Sequence, residues 1–122
     1  MTTILLAEDS PTTATQLRVV LERRGYEVIW VRDGEQASES LRRQPPDLVI
    51  LDLMMPKVNG FAVCRQIRAS ATLKDLPVIM VTAMSRKSDR FWGLKQGANE
   101  YLTKPIDADD LVAKVERYVS AT

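Results

Sequence analysis

A chain of 122 residues, 45% hydrophobic and 27% charged, has the size and composition of one folded domain around a single core, and is neither disordered nor fibrous. Its net charge of +1, with Lys and Arg spread along the chain, leaves no electrostatic footprint for nucleic acid or an anionic membrane. A single cysteine and no histidine argue against an intrachain disulfide and a transition-metal site, and the absence of a basic leader segment or a long apolar run predicts a cytoplasmic protein.

Ile4–Ala7 reads as a first strand. Ser10 then offers a helix cap with Pro11 in the first turn, and Ala14, Leu17, Val20 and Leu21 form an apolar stripe that Arg23, Arg24 and Gly25 close. Val28–Val31 is a second strand. Asp33-Gly34-Glu35-Gln36 has the form of a capping box, opening a helix that must stop before Pro45-Pro46. Leu48–Leu51 is the third strand, and a helix from about Gly60 to Ala69 presents Phe61, Cys64 and Ile67 or Arg68 at helical spacing. Cys64 is there a small apolar residue on a helix. Pro77 marks the entry to a fourth strand, Val78–Thr82. A fourth helix is predicted over roughly Arg86–Gln96, with Gly97 as its stop. Tyr101–Thr103 is a short fifth strand, and a fifth helix begins at Asp107 with Leu111, Val112, Val115 and Val119 facing inward.

Five strands separated by helix-length segments predict an α/β fold with a parallel sheet and helical crossovers. The first, third and fourth runs are apolar without alternation, as central strands covered on both faces should be. The second and fifth are shorter or more mixed and suit positions nearer an edge. With no repeat, linker or low-complexity tract, residues 1–122 form one expected domain.

In an open parallel sheet the ligand site lies beyond the carboxyl ends of the strands, where the strand order reverses. There the first strand gives Glu8-Asp9, the third Asp52, the fourth Thr82, and the fifth is followed by Lys104-Pro105. Each residue alone has an ordinary structural explanation: a favourable helix-end charge, a turn, a β-branched strand residue, a solvated lysine. Together, three carboxylates on one rim repel one another and raise each other's proton affinity unless cations resolve the conflict. Lys104 supplies one positive charge, and an all-oxygen donor set with few carboxylates suits Mg²⁺.

The set Glu8-Asp9, Asp52 within Asp-Leu-Met-Met-Pro, Gly60, Thr82-Ala83 and Lys104-Pro105 resembles the receiver domains of two-component response regulators, the chemotaxis regulator included, in order and over the full chain. The resemblance implies a flavodoxin-like sheet of order 2-1-3-4-5 with five helices on both faces. It implies Asp52 as phosphoacceptor, with Mg²⁺ bound by Asp9, Asp52 and the Met54 backbone carbonyl, and by Glu8 directly or through water. Thr82 and Lys104 would contact the phosphoryl oxygens, and the Lys104–Pro105 bond would be cis. The donor would be a sensor histidine kinase or a histidine phosphotransfer protein; a chain without histidine receives but does not donate. Thr82 and Tyr101 would form the switch, Tyr101 turning inward from an exposed rotamer on phosphorylation. With few residues after the fifth helix, output is expected through protein–protein contacts of the face made by helix four, strand five and helix five, with Arg86, Lys87, Arg90 and Lys95 as candidate contacts. Met54 and Met84, flanking the site, are expected to hinder hydrolytic water. Trp92–Ala98 is similar to single-domain regulators of pilus-based twitching motility. Such a bacterial phosphorelay protein is a signalling switch, not an enzyme, catalysing only its own phosphorylation and dephosphorylation.

Three other readings compete. A phosphohydrolase with an aspartyl-phosphate intermediate resembles Asp-x-Asp at this strand end, but Met54 stands where the second acid would act. A nucleotide binder of similar fold needs a glycine-rich loop after the first strand, where this chain has the acidic Glu8-Asp9-Ser10-Pro11. A degenerate receiver that only docks would not be expected to keep all five site residues.

Overall fold

The apolar runs become strands because each can be covered on both faces. In the computed structural model, which describes residues 1–120, the elements follow in strict alternation: β1 (Thr3–Ala7), α1 (Pro11–Arg23), β2 (Glu27–Val31), α2 (Gly34–Arg43), β3 (Leu48–Leu51), α3 (Gly60–Ala69), β4 (Val78–Thr82), α4 (Lys87–Lys95), β5 (Glu100–Thr103) and α5 (Ala108–Glu116). All pairings are parallel, in the order β2-β1-β3-β4-β5. The unbroken apolar runs of β1, β3 and β4 take the centre, and mixed β2 and β5 take the edges, as their composition predicts.

Successive residues of a strand point to opposite faces, so the sheet divides the core in two. Leu5, Val49, Leu51 and Met80 pack with Ala37 and Leu41 of α2 and Val63 and Ile67 of α3. Ile4, Leu6, Ile50 and Ile79 pack with Leu17 and Leu21 of α1 and Leu111 and Val115 of α5. β1 pairs on both sides, Ile4 lying opposite Val28 and Leu48.

Helix starts follow cap chemistry. Thr13, Gln36, Ala62 and Asp110 donate backbone N–H bonds to the side chains of Ser10, Asp33, Asn59 and Asp107. The reciprocal half of the capping box at α2 is shifted: the Gln36 side-chain Oε1 accepts from Arg32 N, not from Asp33 N. The backbone also reaches further than the hydrophobic signal, because β1, β2 and β5 begin on polar residues that continue the ladder, Thr3 opposite Glu27 and Glu100 opposite Ile79. Val63, outside the predicted stripe of α3, is fully buried, whereas Phe61 is only half-buried. Val20 and Val119 are half-buried as well, Val119 lying past the end of α5.

The N-terminus of α2 sits directly on the loop after β3. Gly34 N donates to the Pro56 carbonyl at 3.3 Å, and a β-carbon on Gly34 would lie 1.7 Å from the Val58 carbonyl oxygen. The neighbouring Asp33 carboxylate faces Lys57 at 3.7 Å, and Lys57 adopts a left-handed φ of 70°. Because the obstructing atom is backbone, the added carbon of Gly34→Ala cannot be absorbed by a rotamer change. Urea unfolding of that variant should show a loss of about 3 kcal/mol; a stability equal to wild type would contradict this packing.

Candidate functional site

The parallel sheet sends the ends of β1, β3, β4 and β5 to one rim, and hydrogen bonds carry the pairing past the strand ends. Asp52 N donates to the Ala7 carbonyl at 2.9 Å, and Lys104 N to the Thr82 carbonyl at 2.8 Å. These bonds bring residues from the two ends of the chain together. The Lys104 Nζ donates to Glu8 Oε1 at 2.8 Å and to Asp52 Oδ2 at 3.0 Å. The second oxygens are also engaged: Ser10 N donates to Glu8 Oε2 at 3.0 Å and Met54 N to Asp52 Oδ1 at 3.0 Å. Glu8 is 1% exposed and Asp52 5%, so two carboxylates are buried on one ammonium. The Lys104–Pro105 bond is cis.

The electrostatics follow from that imbalance. Burial pushes the Glu8 carboxyl above its ordinary range; Lys104 and the Ser10 amide pull it down, and Asp52 pushes it up again. Burial alone would lower the Lys104 ammonium, but its hydrogen bonds to Glu8 and Asp52 prevail and hold it above the ordinary value.

Of the other predicted residues, Asp9 is exposed at the same strand end and Thr82 is fully buried. Met54 is exposed and Met84 half-buried. Among the described residues no three acidic or thiol side chains are gathered around a single point as metal ligands; Glu8 and Asp52 converge on Lys104 instead. The donor chemistry still fits a hard divalent cation, since two carboxylates share one ammonium, Asp9 adds a third carboxylate at the same strand end, and every donor is oxygen. This is an open rim; surface depressions lie elsewhere, as between α2 and α3 around Leu41, Ile67 and Leu73.

Tyr101 does not take the exposed resting rotamer expected of it. Its side chain is 2% exposed, and its hydroxyl donates to the Met84 carbonyl at 2.7 Å. Gly93 on α4 explains the difference: a β-carbon there would lie 2.8 Å from the Tyr101 ring and 2.9 Å from Met80 Sδ. A glycine in the interior of a helix costs about 1 kcal/mol against alanine, which was the available signal that something packs close to α4. At the other end of the same residue, Met84 N donates to Thr82 Oγ1 at 3.3 Å. Thr82 and Tyr101 therefore hold opposite ends of one residue's backbone. Arg90, a candidate partner contact, is exposed and donates from one guanidinium nitrogen to the Tyr101 carbonyl at 3.2 Å.

Comparison with known proteins agrees with this geometry. The family model of the response regulator receiver domain matches residues 4–116. Protein PilH of Pseudomonas aeruginosa is 38% identical over 115 residues, covering 94% of this chain and 95% of that one. The chain spans about half the length of other curated relatives it matches. A response regulator structure from Chloroflexus aurantiacus J-10-fl superposes with a TM-score of 0.92 at 35% identity, covering 96% of each chain. The receiver domain of a sensor histidine kinase from Pseudomonas aeruginosa PAO1, with a magnesium ion coordinated in its active site cleft, gives 0.88 at 36% identity and 96% coverage of each chain.

Burial holds the Tyr101 phenol up at about 12, with the Asp89 and Asp52 charges raising it and Arg90 lowering it. Burial raises Tyr26, and the hydrogen bond to Glu100 raises Tyr118. A phenol raised in the folded state favours folding fully below its unfolded value near 10, and that contribution is lost as the pH climbs through the folded value. Tyrosinate absorbance should accordingly show a last transition at about pH 12 that Tyr101→Phe removes. Ionisation of all three phenols near pH 10 in the intact fold would refute it.

Proposed function

The chain belongs to the response regulator receiver domain family of two-component systems, and from that premise we propose that Asp52 is its phosphoacceptor. The observation that carries this is the buried Asp52 carboxylate at the end of central β3, one oxygen on Lys104 Nζ and the other on Met54 N. Receiver domains interact with histidine kinases or phosphotransfer proteins; here such a donor would present a phosphohistidine to the rim. An Asp52 oxygen attacks phosphorus, the P–N bond breaks, and the imidazole leaves with its electron pair. Two anions must meet in this step, so positioning and charge neutralisation carry most of the catalysis. Mg²⁺ would neutralise charge on the phosphoryl oxygens, held by Asp9, Asp52, the Met54 carbonyl, and Glu8 directly or through water.

Lys104 then exchanges a carboxylate partner for a phosphoryl oxygen, and Thr82 donates its hydroxyl to another. Met54 and Met84 cover the group against hydrolytic water. The chain thus catalyses only gain and loss of its own phosphoryl group. When Thr82 turns to the phosphoryl group it gives up the Met84 amide, and Tyr101 feels the change through the Met84 carbonyl that it also holds. Output would leave by the face of α4, β5 and α5, where Arg86, Lys87 and Lys95 accompany the exposed Phe91 and Trp92.

Incubation with acetyl phosphate and Mg²⁺ should add one phosphoryl group by intact mass, and none in Asp52→Asn or in EDTA. Modification that persists in Asp52→Asn would sink the assignment. For the switch, Thr82→Ala should still accept the phosphoryl mimic beryllofluoride at Asp52. The shift of the Tyr101 ring resonances that accompanies its binding in wild type should be lost; an identical shift in both proteins would break the proposed link.

A further inference from the structure

Trp30 lies on edge strand β2, its ring half-buried against the cluster packed by α1 and α5. Its polar end serves a different element. The indole Nε1 donates a 2.8 Å hydrogen bond to the backbone carbonyl of Glu8, the first residue beyond β1. Glu8 N donates to the Val31 carbonyl at 3.0 Å, so both backbone polar groups of Glu8 are held from β2. Arg32 extends the arrangement: its guanidinium lies over the Trp30 ring, 5.4 Å from the centroid, and donates a long 3.5 Å bond to the Asp9 carbonyl. Arg32 is itself anchored, its N–H bound by Gln36 at 3.0 Å.

Residues past a strand end have lost the regular ladder, so the origin of each side chain is only as fixed as its backbone partners make it. Glu8 and Asp9 carry two like charges in succession, and the strand order places β2 on one side of β1 and Asp52-bearing β3 on the other. The Glu8 carboxylate is held by Lys104 and Ser10, but among the described residues the exposed Asp9 carboxylate has no such anchor and depends on its backbone. An indole donor fits this place because its rigid ring is packed while its one N–H reaches the strand end.

We propose that Trp30, supported by Arg32, is a positioning residue for the acidic pair, fixing the Glu8 carbonyl and thereby the point from which Asp9 reaches a divalent cation. The inference rests on the reading of Glu8, Asp9 and Asp52 as the Mg²⁺ site. Groups that orient ligands from behind typically change metal affinity by about 10- to 100-fold when removed. Trp30 acts through a backbone carbonyl, so the lower end of that range applies.

Trp30→Phe keeps the packed ring and removes only the donor. Calorimetric titration with Mg²⁺ alone should show binding about tenfold weaker than wild type, while thermal unfolding in EDTA remains cooperative. Arg32→Gln, changed at an exposed side chain, should weaken binding by a smaller factor, and gives the same comparison should Trp30→Phe not fold. In Trp92→Phe, Trp30 is the sole tryptophan, and its emission should change saturably as Mg²⁺ binds. A purely structural role for Trp30 would lower the unfolding temperature and leave Mg²⁺ affinity alone. Equal Mg²⁺ affinity in wild type and variant overturns the positioning role alone, whereas absence of Mg²⁺ binding by wild type overturns the metal site and the positioning role together.

Discussion

One ammonium shared by two buried carboxylates governs the rim. Removing charge from water is costly unless it is paired and hydrogen-bonded, and Lys104 meets that requirement for Glu8 and Asp52 at once. The arrangement is still one positive charge short, before Asp9 is counted. On the proposed reading this tension is useful, because a fully neutralised Asp52 would have little use for a cation. The sheet exists, in functional terms, to hold these three groups together while leaving the rim open.

The same economy of atoms connects the rim to the surface of α4. Thr82 and Tyr101 do not touch each other through a long relay; they hold the amide and the carbonyl of Met84. Gly93 leaves room for the Tyr101 ring against α4, and Arg90 ties that helix to the β5 backbone. If this packed element is the proposed switch, it would move between discrete arrangements, because interiors are too dense to deform gradually.

Most of the fold was legible because both its signals were strong. Apolar runs without alternation marked β1, β3 and β4 as central, and cap residues such as Ser10, Asp33 and Asp107 marked helix starts where they occur. Three strand beginnings were missed by one residue each, since Thr3, Glu27 and Glu100 join the ladder through backbone groups that side-chain hydrophobicity does not report. At the site, residue types and their place at strand ends brought Glu8, Asp52, Thr82 and Lys104 to the rim. The Tyr101 rotamer was misread because it depends on a cavity opposite, which only Gly93 on a different element reveals. Trp30 carried no signal either: the acceptor of its N–H is a backbone carbonyl, and every residue has one.

The placement of β1 in the middle of the sheet has a consequence for how the protein is made. β1 needs both β2 and β3 as neighbours, and its pairing with β3 joins Ile4 to Leu48. The Glu8–Lys104 contact spans nearly the whole chain and closes only after β5 has docked. Contacts so distant in sequence form late, because chain closure must precede any energetic return. If Asp52 is the phosphoacceptor proposed above, a partly folded chain would present its acidic residues without the lysine that organises them and would be a poor acceptor. Competence to receive a signal would in this way report that β5 has docked.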